Sequence, residues 1–235
     1  MELEKEHNMY KRMISTTLPI LAMLGCEQEP ERIIGKTSIL VDVSDELSKT
    51  QINYVRNIIQ NLKLVDEDKL CIYFIQPEGE DPVKEGKCIE YLSEPKRNAT
   101  SSIRIEKRRY EEYNEGIKNM LHKMDEEHNY DTSPILSALN FIRSEEYSFD
   151  LGEGEYRIVI FSDMLQNSSL ISHFKSLDGI DKIPAWLSIK LDGINVDVYQ
   201  LYSIKYNHRQ TDEQKEWWEE YFHYRGVNNL TWTYL

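Results

Sequence analysis

The stretch SILVDVSDELS, residues 38 to 48, leaves an apolar run and ends on Asp42, Ser44, Asp45, Glu46 and Ser48. Carboxylate and hydroxyl oxygens gathered within one turn are hard donors, the kind that magnesium takes while keeping several of its waters. Asp42 is the hardest of them to treat as incidental. A carboxylate at the tip of a buried strand costs several kcal/mol unless it is paired or coordinated. Two distant pieces carry similar chemistry: Asp163 closes the apolar run YRIVIFSD (156 to 163), and Thr132 and Ser133 precede a helical pattern. The remaining polar residues have plainer readings, with Ser48 as a helix cap, Asp45 solvated and Asp131 shaping a loop.

Catalytic patterns are thin by comparison. A phosphatase of the haloacid-dehalogenase type also starts from a strand-terminal Asp, but it needs a second Asp where Ser44 stands, so the general acid is missing. The GKT at 35 to 37 precedes a strand instead of following one, which is the wrong context for a phosphate-binding loop. Neither a G-x-S-x-G elbow nor H-E-x-x-H occurs, and the six histidines are scattered without ligand spacing. These absences point away from an enzyme.

The elements that must position the oxygens alternate between strand and helix. Ser38 to Val43 is a continuous apolar run suited to a strand buried on both faces, and Ser48 to Gln51 reads as a capping box. The helix it opens carries Ile52, Val55, Ile58, Ile59 and Leu62 at helical spacing. LCIYFI (70 to 75) is a second strand, followed by a long polar excursion through Gly79, Pro82, Gly86 and Pro95. A stripe from Ile105 to Met124 marks a long helix, and Ser133 with Pro134 reads as the cap and first turn of another. YRIVIFSD, INVDVYQLYS (194 to 203) and the closing LTWTYL are strands, and Thr211 to Gln214 caps a last helix. Its adjacent Trp217 and Trp218 are not expected to point inward together, which leaves one for a partner. This alternation predicts an α/β fold, doubly wound, with a mostly parallel sheet and helices on both faces. In such sheets ligands bind beyond the carboxyl ends of the strands, where strand order reverses. Asp42 and Asp163 both fall at that end.

Composition limits the partners. With 235 residues, 40% of them hydrophobic, the chain can bury one sizeable core. A formal charge of -13 disfavours nucleic acid and favours a cation. Lys107, Arg108 and Arg109 sit among Glu106, Glu111 and Glu112 and read as a solvated helix face. Cys71 and Cys88 have two readings, a disulfide in an oxidising compartment or, for Cys71, a buried small hydrophobe.

The amino terminus has the grammar of a secretory signal: Lys11 and Arg12, an apolar stretch from Met13 to Leu24, then Gly25 and Cys26. It resembles a bacterial lipoprotein signal, in which the cysteine is lipidated and becomes the mature amino terminus. That implies a leader (1–26), a linker (27–36) and a domain (37–235) anchored to the membrane through Cys26 in the bacterial cell envelope. The alternative is a cytoplasmic protein with an amphipathic leader helix.

Taken together, DVSDE at 42 to 46, TSPILSAL at 132 to 139 and IVIFSD at 158 to 163 resemble the three separated pieces of a von Willebrand factor A-type domain. In that family they form a metal-ion-dependent adhesion site, written D-x-S-x-S, then a loop Thr, then an Asp after the central strand. The resemblance implies Asp42, Ser44, one of Thr132 or Ser133, and Asp163 as ligands for Mg2+ or Mn2+. Glu46 stands where the second Ser of the pattern falls, so either it joins the metal site as a third carboxylate or that ligand is missing, and Met164 stands where a Gly usually follows the last Asp. The implied function is non-enzymatic capture of a protein partner whose acidic side chain completes the ion's coordination. The alternatives are a metal-dependent phosphatase-like hydrolase and a scaffold with a degenerate site.

Overall fold

The computed structural model describes residues 35–64, 68–81, 83–92, 103–125, 130–146, 154–175 and 179–235. Cys26 and the leader lie outside the described residues, as does the linker up to Ile34. Strand β1 (Lys36–Val41) leads through helix α1 (Lys49–Gln60) to β2 (Lys69–Ile75) and β3 (Val83–Glu90). Helices α2 (Ile103–His122) and α3 (Ile135–Glu146) precede β4 (Tyr156–Ser162) and β5 (Ile194–Gln200). Helix α4 (Asp212–Tyr224) and β6 (Asn229–Tyr234) complete the order.

The strands form one six-stranded sheet in the order β3-β2-β1-β4-β5-β6, parallel throughout except for β3. Alternation along each strand sends apolar side chains to both faces. Leu40, Tyr73, Ile160 and Val198 pack with α3 and α4 on one face. Ile39, Ile72, Val159 and Phe161 pack with α1 and α2 on the other. This is the doubly wound α/β architecture expected from the sequence. Strand order reverses between β1 and β4, so the crevice lies beyond Val41 and Ser162.

Helix α1 begins as its residues dictate: Gln51 N donates to Ser48 Oγ at 3.2 Å, and Ser48 N donates to Gln51 Oε1 at 3.0 Å. The basic cluster on α2 is a solvated face, with Arg108 paired to Glu112 at 2.8 Å. Three expectations need correction. The excursion after β2 contains β3, whose Lys and Glu residues and Gly86 hide a strand because an edge strand has only one neighbour to satisfy. Trp217 and Trp218 are both buried, because the loop carrying His173 closes over the helix and its ring meets both indoles edge-on. Ser133 does not cap α3, as the site geometry explains below.

Of the two cysteine readings, both hold in part: Cys71 is fully buried and is bridged to Cys88, its cross-strand neighbour on β3. Closing a loop of this length contributes about 3 kcal/mol in the chain-entropy picture.

His173 supplies a pH prediction. Burial lowers its pKa from 6.5 to about 4, the Met164 backbone opposing the shift, and both ring nitrogens are shut off from solvent. The unfolded chain therefore takes up a proton below 6.5 that the fold refuses until about 4. Stability should fall as pH drops through that window, by about 3 kcal/mol in all. Denaturant melts of wild type and His173→Phe between these limits should differ in slope by about one proton.

Candidate metal centre

The site is built from three elements that end in one crevice. The β1–β4 register aligns Val41 with Phe161, and Asp42 N donates to Phe161 O at 2.8 Å. Asp42 is therefore fixed one step past the strand, beside Ser162, with its side chain buried. Its carboxylate accepts three hydrogen bonds: Ser44 N on Oδ1 at 3.0 Å, and the hydroxyls of Ser133 and Ser162 on Oδ2, each at 2.7 Å. A carboxylate is tolerated in this buried place because short charge-assisted bonds replace its water.

The Ser133 bond depends on a substitution of caps. Helix α3 starts at Ile135, and its Leu136 N donates to Gln166 Oε1 at 2.9 Å. A buried glutamine from the loop after β4 thus satisfies the helix start that Ser133 was expected to cap, leaving the Ser133 hydroxyl for Asp42. Thr132 is used differently. Its Oγ1 accepts from Glu78 N at 2.9 Å, tying it to the connection between β2 and β3. The structure thus brings Ser133 rather than Thr132 to Asp42.

Asp163 follows β4 directly and lines one cavity of about 730 Å³ with Asp42, Ser44, Asp45 and Glu46. Desolvation raises its pKa well above 3.8, and the charge of Asp42 raises it further; the Leu165 amide, donating at 2.8 Å, opposes this, and Asp45 adds a little. A carboxyl with a raised folded-state pKa destabilises the fold as pH climbs from its ordinary value through the raised one. A cation in the cavity would remove that penalty. Asp45, expected to be solvated, instead accepts from Ser203 Oγ at 2.8 Å. Glu46 is exposed on the cavity wall.

The turn after Asp163 is strained. Met164 has φ of 60°, the left-handed region that the expected Gly would enter freely. The strain costs about 1–2 kcal/mol and persists because the surroundings over-determine it. Met164 N donates to Ser162 Oγ at 2.9 Å, its carbonyl accepts from Trp218 Nε1 at 2.7 Å and from Gln214 Nε2, and its side chain is fully buried. Ser162 therefore links Asp42 to the turn that holds Asp163. Sequence reasoning missed Ser162, Gln166 and Ser203; a hydroxyl immediately before Asp163 was the one available signal.

Every side-chain donor in this cluster is oxygen, and Asp42 and Asp163 line the same cavity and feel each other's charge, which suits Mg2+ or Mn2+ rather than a thiophilic ion. The Ser44 hydroxyl makes no hydrogen bond among the described residues, so its oxygen is available. Among the described residues no group of three or more His, Cys, Asp or Glu has metal-holding geometry, so a cation here would rely on serine oxygens and water.

The sequence matches no protein-family model and no curated protein. Among solved structures, the chain is similar to an aerotolerance-related membrane protein from Bacteroides fragilis, at 14% identity over 86% of this chain and 91% of that one, with a TM-score of 0.37. It is also similar to the manganese-loaded TRAP protein of Plasmodium vivax, at 12% identity over 70% of this chain and 57% of that one, with a TM-score of 0.35. The fold class follows from the strand order and from the helices that cover both faces of the sheet. No helix among the described residues is long and apolar enough to cross a membrane.

Proposed function

We propose that this chain is an A-type domain that captures a protein partner through a divalent cation and catalyses nothing. Asp42, Ser44, Ser133 and Asp163 would hold the ion, with Glu46 and Thr132 at the margin. When bound, the ion supplies an open coordination position for an acidic side chain of the partner. The observation that carries this reading is Asp42, buried, held by Ser133 and Ser162 and sharing one cavity with Asp163. The chain's own residues fix Asp42 and keep Asp163 under electrostatic pressure that a cation relieves. Tethering through a lipidated Cys26 in the bacterial envelope, the oxidising side on which the Cys71–Cys88 bridge would persist, completes the proposal.

Thermal melts of the full chain in Mg2+, Mn2+ or chelator test it. Ion at a hundred times its Kd should stabilise the fold by about 2.7 kcal/mol, raising Tm by roughly 5–10 °C. Equal melting points in all three conditions would refute metal binding.

A further inference from the structure

The two edges of the sheet are built differently. At one edge, β3 carries Lys84, Glu85, Lys87 and Glu90 in sequence, is broken in register between Ile72 and Phe74, and is stapled to β2 by a disulfide. Charge and irregularity are the devices by which proteins keep edge strands from pairing with other chains. At the other edge of the sheet formed by the described residues, β6, NLTWTY, has none of them. No side chain from Gly226 to Leu235 is charged, although the chain as a whole carries -13, and no Pro interrupts the strand. Its composition is β-branched, aromatic and amide, and Asn229, Thr231, Thr233 and Tyr234 are exposed.

The order of residues in β6 is also self-complementary. Leu230, Trp232 and Tyr234 share one face of the sheet, where Lys215 lies 5.9 Å from both aromatic rings, while Asn229, Thr231 and Thr233 share the other. If two β6 strands run antiparallel about a two-fold axis at Trp232, Trp232 meets the partner's Trp232. Leu230 then meets the partner's Tyr234, and Thr231 meets the partner's Thr233. Aromatic, apolar–aromatic and Thr–Thr cross-strand pairs are all favourable, and no like charges oppose. Each copy offers the same patch to the other, as a closed dimer requires.

We infer that β6 is a pairing edge through which two copies of this chain join antiparallel into a continuous twelve-stranded sheet. Such pairing leaves the cavity at Asp42 and Asp163, which lies beyond β1 and β4, open in both copies. Sedimentation of the full chain, in a concentration series reaching hundreds of micromolar, should show mass rising from one chain to two. Amides 229–234 should gain protection from hydrogen exchange in step. Thr233→Glu sets a carboxylate toward the partner's Thr231 and Asp197, and should raise the dimer Kd at least about tenfold with Tm unchanged. Asn229→Glu, at an exposed position, serves if the first variant folds poorly. A single-chain mass throughout, a dimer whose protection falls on β3 or elsewhere, or a dimer indifferent to folded edge variants would each overturn the inference. A protein strand from another source on β6 would appear as an unmoved monomer in the purified chain and counts against it.

Discussion

Asp42→Asn should lose the magnesium-dependent rise in melting temperature while the apo protein melts within about 1 kcal/mol of wild type. The amide keeps one oxygen for Ser44 N, and the hydroxyls of Ser133 and Ser162 can turn to accept from its nitrogen. Removing the charge also relieves Asp163, whose pKa is raised first by burial and further by the charge of Asp42. The ion loses its strongest ligand charge, so affinity should fall more than about a hundredfold, beyond the range seen for outer-shell partners. Asp42→Ala is a poorer probe because it strands one amide and two hydroxyls, each at a cost of about 1–3 kcal/mol. Titration calorimetry of the Asn variant with Mg2+ gives the number. Undiminished affinity would place the ion elsewhere.

The second large effect comes from α4. Trp218 is fully buried, and its indole nitrogen fixes the carbonyl of Met164 in the strained turn. Trp218→Ala should cost about 3–5 kcal/mol through the cavity alone. Trp218→Phe keeps most of the bulk and removes the donor, so it should cost only about 1–2 kcal/mol. Because that turn carries Asp163, the Phe variant should also bind Mg2+ several-fold more weakly. Denaturant melts and calorimetry on the same sample separate the two effects. A Phe variant with full affinity would show that the turn holds its shape without the indole.

The architecture was legible because long apolar runs and capped amphipathic helices each point to one local answer, and a parallel sheet is what those answers assemble into. The placement of Asp42 and Asp163 at one crevice was legible for the same reason: each directly follows a buried strand at the end where strand order reverses. What lay beyond the sequence depended on contacts between distant segments. Ser133 looks like a cap until Gln166, in the loop after β4, takes that role. Asp45 looks solvated until Ser203, beyond β5, reaches it. Strand β3, rich in Lys and Glu, lies at the edge of the sheet formed by the described residues, where charged residues are common, and the adjacent tryptophans look incompatible until His173 covers the face that helical geometry leaves open.

The most direct measurement is anomalous diffraction from crystals of the full chain soaked in manganese. One peak should lie within ligand distance of oxygens from Asp42, Ser44 or Ser133, with Asp163 in direct or water-mediated reach. An empty cavity at full soak, or a peak bound away from both β1 and β4, would contradict the account.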